Sequence, residues 1–165
     1  MQNAISHPVP YKLLIFDADG TLRGCTIEGQ PCPNRADEWE LLPKVKEILS
    51  LYDAPHDERY TAVVSNQGGI ALGFLSWWDA KELLDACGCV AFPQRQRPRT
   101  YLCEHAPKAG CPCRKPSPYL LLKAVEERHV RLSDALYVGD QDSDREAAER
   151  AGIAFLWASD FFGWT

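Results

Sequence analysis

The sequence predicts an α/β fold in which helices cover a central parallel β-sheet. Short apolar runs of strand length alternate with segments that carry apolar residues at helical spacing, which is typical of layered parallel sheets. The strand-like runs are apolar at consecutive positions, as expected of strands buried on both faces. Polar, glycine-containing stretches follow three of them: FDADGT, SNQGG and GDQDSD. The 165 residues suit a single domain over 1–165, long enough to form a core without disulfides.

The first half of the chain predicts two strands and two helices. Residues 12–16 and 61–65 are apolar runs that predict buried strands. Residues 23–40 contain two glycines and two prolines and predict a long loop. One helix is expected to begin at Pro43, because proline suits a first helical turn, and another after Ser76, whose hydroxyl can cap it.

The second half continues the alternation. Residues 90–92 and 100–103 are short candidate strands. The remaining predicted elements are a helix capped by Ser117 with Pro118 in its first turn, a strand at 135–138, a helix that begins at Ser143 or Asp144 and ends at Gly152, and a strand at 153–157.

Composition limits the functional classes. The net charge is −5, which argues against a broad nucleic-acid surface because such surfaces are basic. We interpret the three arginines of residues 94–99 as part of a solvated loop. No apolar run approaches the roughly 20 residues that span a bilayer, and residues 1–10 form an irregular lead-in without the pattern of a secretory signal. We therefore expect a cytoplasmic protein with no membrane partner.

Three of the seven cysteines cluster with a histidine between residues 103 and 113. Cys103, His105, Cys111 and Cys113 form the ligand set of a closed, tetrahedral structural zinc site. The alternative is a cysteine-rich loop without a metal. An odd number of cysteines in a reducing compartment argues against a disulfide framework. The scattered cysteines are interpreted as small buried or loop side chains: Cys25, Cys32, Cys87 and Cys89.

Two carboxylates directly follow the first predicted strand. Asp17 and Asp19 point the same way if the chain stays extended, and Gly20 permits a tight turn after them. A carboxylate can attack a phosphoryl group, and a neighbouring acid can protonate the leaving oxygen. Taken alone, the pattern also suits a turn or part of a calcium loop. Its position after an apolar strand favours catalysis.

The segment FDADGTL resembles the first motif of the haloacid dehalogenase-like phosphohydrolases. The later motifs of that family match in order, with Ser65 closing a strand, Lys115 in CRKPSP, and the acid pair Asp140 and Asp144 in VGDQDSD. The resemblance covers residues 12–157 and implies a three-layer Rossmannoid fold with a central parallel sheet. It also implies that Asp17 is the nucleophile and Asp19 the general acid/base.

The same resemblance implies the remaining site residues. Catalytic Mg²⁺ is expected on Asp17, on the backbone carbonyl of Asp19 and on Asp140, with Asp144 orienting Lys115 or a metal-bound water. Lys115 offsets negative charge on the aspartate and the phosphoryl oxygens. Further phosphate contacts are expected from Gly20, Thr21, Ser65 and Asn66. Asp142 is interpreted as a helix N-cap.

A zinc loop at 103–113, directly before the RKP motif, resembles the histidinol-phosphate and D,D-heptose-bisphosphate phosphatase branch of that family. This branch lacks a large cap domain, which implies an open pocket bordered by the loop at 23–40 and by the zinc loop. Arg114 matches a branch arginine that contacts substrate. The loop at 23–40 is longer than expected and adds Arg23, Arg35 and Trp39 as candidate specificity residues, although each is more simply a surface or packing side chain.

These features predict a magnesium-dependent phosphomonoesterase that hydrolyses a small phosphorylated metabolite, a sugar phosphate or a compound similar to histidinol phosphate, through an aspartyl-phosphate. An alternative is a polynucleotide 3′-phosphatase that binds nucleic-acid ends through exposed arginines and paired tryptophans. A third hypothesis is a non-catalytic zinc-stabilised binding module, which the complete set of acids disfavours. The side chains that the second hypothesis uses are Arg95, Arg97, Arg99, Trp77 and Trp78.

Overall fold

A computed structural model describes residues 5–164 of the chain. In chain order its elements are β1 (Leu13–Phe16), β2 (Arg23–Cys25), β3 (Trp39–Leu41), α1 (Val45–Ser50), β4 (Tyr60–Asn66), α2 (Trp77–Ala91), β5 (Arg99–Cys103), α3 (Tyr119–Glu127), a 3-10 turn (Leu132–Asp134), β6 (Ala135–Gly139), α4 (Asp142–Ala151), β7 (Ala154–Trp157) and α5 (Ala158–Phe162). No helix within 5–164 has both the length and the apolar character needed to cross a membrane.

The central sheet has five parallel strands in the order β5-β4-β1-β6-β7. β1 lies in the middle, where Leu13 pairs with Tyr60 on one side and with Ala135 on the other. From β1 the chain proceeds outward through β4 and β5, then returns to the opposite side for β6 and β7. Ligands bind beyond the carboxyl ends of the strands where such a reversal occurs, so the topology places a site at the ends of β1, β4 and β6.

Alternate residues of the strands enter two separate cores, which makes the protein three layers deep. Leu14 and Phe16 of β1 pack in a core with α1, α2 and α5, whereas Leu13 and Ile15 pack in a core with α3 and α4. Burial on both faces explains why the strands are apolar at consecutive positions. The predicted three-layer α/β fold is therefore confirmed.

The predicted strands at 12–16, 61–65, 100–103, 135–138 and 153–157 are all present, with no end shifted by more than one residue. The strand predicted at 90–92 is wrong. Val90 and Ala91 form the last turn of α2, and Phe92 follows as its C-cap. A run of three apolar residues does not distinguish a strand from a buried helix end.

The loop predicted at 23–40 is wrong at both ends, because β2 and β3 form an antiparallel hairpin in which Arg23 pairs with Leu41. Each strand has only three residues, too few to show a period. Residues 17–59, between β1 and β4, contain just this hairpin and α1, which agrees with the expectation that no large cap is present.

The helix ends follow the predicted capping in part. Ser76 caps α2 in a capping box with Asp79, and Gly152 ends α4 in the left-handed conformation, as predicted. α1 begins at Val45 with Lys44 as its N-cap, so Pro43 precedes the helix and does not lie in its first turn. The N-cap of α3 is Pro118, while the Ser117 hydroxyl accepts a hydrogen bond from the Tyr119 amide at 3.3 Å. The N-cap of α4 is Gln141, so Asp142 is its first helical residue and not its cap.

Candidate active site

The carboxyl ends of three adjacent strands bring the predicted catalytic residues together. Asp17 follows β1, Ser65 lies near the end of β4, and Asp140 follows β6. One carboxylate oxygen from each of Asp17, Asp140 and Asp144 lies within 4.8 Å of the others. The motifs predicted from separate parts of the sequence therefore converge on one cluster.

Lys115 lies at the centre of this cluster. Its Nζ is 2.6 Å from Asp17 Oδ1 and 2.6 Å from Asp144 Oδ1, and it donates to the Val64 carbonyl at 3.2 Å. The lysine side chain is only 3% exposed. Burial opposes its charge, but Asp17 and Asp144 outweigh that effect and raise the pKa of Lys115, so the ammonium group stays protonated.

Asp144 is a fully buried support for the lysine. Its Oδ1 accepts a hydrogen bond from the Tyr137 hydroxyl at 2.8 Å, and its Oδ2 accepts from the amides of Asp140 at 3.2 Å and Gln141 at 3.0 Å. Both oxygens are therefore engaged by protein donors. Asp144 is thereby held in direct contact with Lys115, 2.6 Å from its Nζ.

Tyr137 belongs to the site although its strand appears uniformly apolar in the sequence. Its hydroxyl is 2.8 Å from Lys115 Nζ, and burial with nearby Asp17 and Asp144 raises its pKa well above the ordinary value. The phenol stays protonated and can donate to Asp144. Tyr137 lies in the middle of its strand, on a face covered by helices. A tyrosine at such a position looks like any other core residue in the sequence, so its contact with the site could not be predicted.

The charge balance of the cluster favours a divalent cation. Three carboxylates and one ammonium group leave two negative charges in a largely buried space. The pKa of Asp17 lies well above its ordinary value. Burial is the largest cause of the rise and Asp144 adds to it, while Lys115 acts in the opposite direction. An ion with hard, oxygen-preferring coordination fits this donor set, and Mg²⁺ is the common choice beside phosphate.

Gly20 allows the first motif to approach Asp140 closely. The residue has φ +92°, and a Cβ added there would lie 2.3 Å from Asp140 Oδ2. Thr21 is fully buried beside it and donates to Asp140 Oδ1 at 3.1 Å. The amide of Gly20 donates to the Arg23 carbonyl at 2.9 Å, so it is already engaged, contrary to the expectation that it contacts phosphate.

Two residues at the end of β4 connect the site to its surroundings. The buried hydroxyl of Ser65 accepts a hydrogen bond from Gln67 Nε2 at 2.8 Å. The side chain of Asn66 holds the main chain of Lys115, because its Oδ1 accepts from the Lys115 amide at 3.0 Å and its Nδ2 donates to the carbonyl at 3.3 Å. Asn66 thus fixes the backbone of the lysine from a neighbouring strand.

The carboxylate of Asp19 turns to a different set of partners. Arg23 Nε donates to its Oδ1 at 2.8 Å, and Gln67 Nε2 donates to its Oδ2 at 2.8 Å. The side chain of Arg23 is fully buried, which agrees with the packing alternative expected for it and excludes a surface position. The expectation of a packing role holds for Trp39, whose ring lies 5.9 Å from the Arg23 guanidinium carbon.

The four predicted zinc ligands lie together at the end of β5. Cys103 Sγ lies 3.5 Å from His105 Nδ1 and 3.6 Å from Cys111 Sγ. Cys113 Sγ lies 3.2 Å from Cys103 Sγ, 3.3 Å from His105 Nδ1 and 3.8 Å from Cys111 Sγ. Ligands about 2.3 Å from a tetrahedral zinc ion are about 3.8 Å apart, so the cluster has nearly the dimensions that zinc requires.

The remaining cysteines fit the structural interpretation. Within the described residues none of them joins a ligand cluster. Cys87 is buried in α2, Cys89 is exposed on the same helix, and Cys25 and Cys32 are half-buried in the hairpin region.

The zinc loop touches both the site and its rim. Arg114 Nη1 donates to the His105 carbonyl at 3.2 Å and lies 3.4 Å from the position of a Cβ at Gly68. The Gln67 amide donates to the Cys103 carbonyl at 2.7 Å, which ties the chain after β4 to the first zinc ligand. A metal held by this cluster would therefore stabilise the segment that supplies Arg114 and Lys115.

The arginines that suggested nucleic-acid binding are engaged elsewhere. Arg95 donates to the carbonyls of Tyr52 and Arg59, Arg97 lies 3.5 Å from Asp85, and Arg99 lies 2.8 Å from Glu127. Arg99 is the first residue of β5, so these side chains lie at the amino-terminal end of the strands. The catalytic cluster lies at the other, carboxyl-terminal end.

The chain is similar in sequence and in structure to known phosphatases. The family model described as haloacid dehalogenase-like hydrolase matches residues 109–158. The chain is similar to the D-glycero-beta-D-manno-heptose-1,7-bisphosphate 7-phosphatases of two Helicobacter pylori strains. One is 32% identical over 93 residues, which cover 55% of this chain and 54% of the relative. The other is 31% identical over 147 residues, which cover 86% of this chain and 79% of the relative. The D,D-heptose 1,7-bisphosphate phosphatase of B. bronchiseptica, crystallised with magnesium and phosphate, aligns with a TM-score of 0.74 at 26% identity, covering 87% of this chain and 78% of that one.

Replacing Gly20 tests whether its close contact with Asp140 constrains the site. Gly20→Ala should lower the free energy of unfolding by about 1–3 kcal/mol more than Gly29→Ala, because the added methyl group must displace the Asp140 carboxylate. Gly29 is a matched control, since it also has positive φ (+75°) but nothing within 4 Å of an added Cβ. Urea denaturation measures both values, and equal losses would contradict the constraint.

Removing one ligand tests the zinc cluster. Cys111→Ser should reduce bound zinc from one ion to well below one ion per chain and lower the melting temperature, because a closed site loses one of its four thiolate or imidazole ligands. Cys89→Ser, at an exposed cysteine outside the cluster, is the control and should retain zinc. Elemental analysis of the purified proteins measures the zinc content; an unmutated protein without zinc would contradict the assignment.

Proposed function

Because this chain belongs to the haloacid dehalogenase-like hydrolase family and is a phosphoric monoester hydrolase, we propose that it is a magnesium-dependent phosphatase that works through an aspartyl-phosphate. The observation that carries the proposal is the buried contact of Lys115 with Asp17, beside the carboxylates of Asp140 and Asp144. A nucleophile, a fixed cation and a set of hard oxygen ligands then occupy one cluster.

In the first half-reaction, an oxygen of Asp17 attacks phosphorus and forms an acyl phosphate. The bond from phosphorus to the leaving oxygen breaks, and its electron pair stays on that oxygen. Asp19 donates a proton to it, so the product leaves as a neutral alcohol. Lys115 and the hydroxyl of Ser65 stabilise the charge that develops on the phosphoryl oxygens.

In the second half-reaction, the carboxylate of Asp19 takes a proton from a water molecule as the water oxygen attacks phosphorus. The bond between phosphorus and Asp17 breaks, which restores the Asp17 carboxylate and releases inorganic phosphate. Asp19 ends protonated and is ready for the next cycle, so protons balance over one turnover.

Asp17, the backbone carbonyl of Asp19 and Asp140 are the groups that would hold Mg²⁺. When bound, the ion offsets the repulsion between these carboxylates and a phosphate dianion, and it polarises the phosphoryl group. Thr21 and Gln141 donate to the two oxygens of Asp140 at 3.1 and 2.8 Å and orient this ligand. Zinc at the cysteine cluster would have a structural role, because four protein ligands leave no open position for water.

The substrate proposed is a small phosphorylated sugar, most directly a heptose bisphosphate of the kind named in the relatives. The β2–β3 hairpin and α1 are the elements between β1 and β4, so the rim of the site has no cap domain. Arg114 is the cation at this rim that is proposed to contact substrate. A polynucleotide 3′-phosphatase is less favoured, because Arg95, Arg97 and Arg99 contact protein groups at the end of the sheet away from the catalytic cluster. The exposed Trp78 is the feature that still fits this alternative. Zinc thiolates persist in a reducing compartment, which supports a cytoplasmic location.

Replacing the nucleophile tests the mechanism. Asp17→Asn should reduce phosphate release by more than about 10³-fold, because an amide is not a competent nucleophile. Asp142→Asn is a matched control, since the side chain of Asp142 is 80% exposed, and should retain normal turnover. Phosphate release is measured with heptose 1,7-bisphosphate, histidinol phosphate, nucleotides and 3′-phosphorylated oligonucleotides, and the ranking identifies the substrate class. Near-normal turnover by Asp17→Asn would exclude Asp17 as the nucleophile.

Removing the divalent cation tests the metal assignment. Brief chelation should abolish turnover, and added Mg²⁺ should restore it while zinc alone does not, because the two sites differ in donor chemistry. Zinc content is measured before and after the treatment, so that loss of structural zinc is not mistaken for loss of magnesium. Full activity after removal of Mg²⁺ would contradict a magnesium-dependent reaction.

A further inference from the structure

The carboxylate of Asp19 is held by two side chains to which the sequence motifs assign no role. Arg23 donates from Nε to Oδ1 at 2.8 Å and from Nη2 to Oδ2 at 3.4 Å. Gln67 donates from Nε2 to Oδ2 at 2.8 Å. Both oxygens of the carboxylate therefore have fixed donors, which restrict its rotation as well as its position.

Arg23 is itself fixed on several sides. Its third nitrogen, Nη1, donates to the carbonyl of Leu83 in α2 at 3.0 Å, and its guanidinium lies over the ring of Trp39. The Arg23 amide donates to the Ala18 carbonyl at 3.0 Å, and its carbonyl accepts from the Gly20 amide at 2.9 Å. The hairpin thus closes the first motif into a compact loop, with the guanidinium directly beside the carboxylate.

Gln67 connects Asp19 to the predicted phosphate ligand. Its Nε2 donates to Asp19 Oδ2 and to Ser65 Oγ, both at 2.8 Å, and the residue is 1% exposed. Its backbone amide is bound to the Cys103 carbonyl at 2.7 Å. A buried amide with both contacts fixed keeps the acid/base and the phosphate-binding hydroxyl at a constant separation.

We propose that Arg23 and Gln67 are positioning residues that orient the Asp19 carboxylate for proton transfer. Stability alone is a weak account of Arg23, because well-packed apolar side chains can often replace a buried ion pair without loss of stability. Its guanidinium instead supplies a planar, two-point template for the carboxylate that must reach the leaving oxygen. The inference rests on the proposed function, in which Asp19 is the general acid/base.

The test compares a substrate that needs a proton on its leaving group with one that does not. The probes are heptose 1,7-bisphosphate, or the alkyl phosphate ranked first in the substrate screen, and p-nitrophenyl phosphate, whose leaving group departs as an anion. The measured quantity is kcat/KM, because it reports the first phosphoryl transfer. A correctly placed general acid increases the rate about 10²- to 10⁴-fold, but only for a substrate whose leaving group needs a proton.

Arg23→Lys keeps the positive charge but loses the fork, and Gln67→Met keeps the side-chain length but loses the donor. Each should lower kcat/KM for the alkyl phosphate at least about 10-fold more than for p-nitrophenyl phosphate. Arg131→Lys and Gln94→Met, at exposed positions away from the catalytic cluster, are the matched controls and should leave the ratio unchanged. In an Asp19→Asn background, the same two changes should no longer alter the ratio, since they act through that carboxylate.

Equal losses for both substrates would show that the two residues only maintain the fold, and would overturn the inference while leaving the proposed function intact. An Asp19→Asn enzyme with the wild-type ratio would reject Asp19 as the acid, and the inference with it. Melting temperatures are measured for every variant. If Arg23→Lys does not fold, Gln67→Met alone decides the question.

Discussion

The structure of the site depends on burying one ammonium group between two carboxylates. Lys115 Nζ lies 2.6 Å from both Asp17 and Asp144, with almost no access to solvent. A buried ion loses its hydration, and the loss is acceptable only when charged and polar partners surround it closely. The lysine therefore requires the ends of β1 and β6 to be adjacent, which fixes the strand order at the centre of the sheet.

The fold satisfies this requirement with contacts from many parts of the chain. Asn66 holds the main chain of the lysine from β4, while Tyr137 and two backbone amides hold Asp144 from β6 and the start of α4. The cluster of Cys103, His105, Cys111 and Cys113 directly precedes the lysine, and a metal held there would fix this segment. The contacts of Asp144 with Tyr137 and the two amides are local in sequence, but those of Lys115 with Asn66 and Asp17 connect residues far apart in the chain, so the site forms only when β1, β4 and β6 are assembled.

The sequence was sufficient for the parts of the molecule that have a strong local pattern. Apolar runs of four or five residues located the five sheet strands, and the spacing of cysteines and histidine located a cluster that the structure confirms. The candidate acids Asp17 and Asp140 could be predicted because each directly follows a strand. Local patterns could not reveal the hairpin, whose strands have three residues each, or the roles of Arg23, Gln67 and Tyr137, which depend on neighbours distant in the chain.

The hairpin divides into a base and a tip with different constraints. At the base, Arg23 is enclosed and contacts the first motif, so few side chains can replace it. At the tip, residues 26–29 and 35–37 are exposed and make few contacts with the catalytic cluster. Insertions and substitutions can accumulate there without disturbing phosphoryl transfer. The tip is thus where descendants of this enzyme could acquire new substrate preferences while the reaction itself stays unchanged.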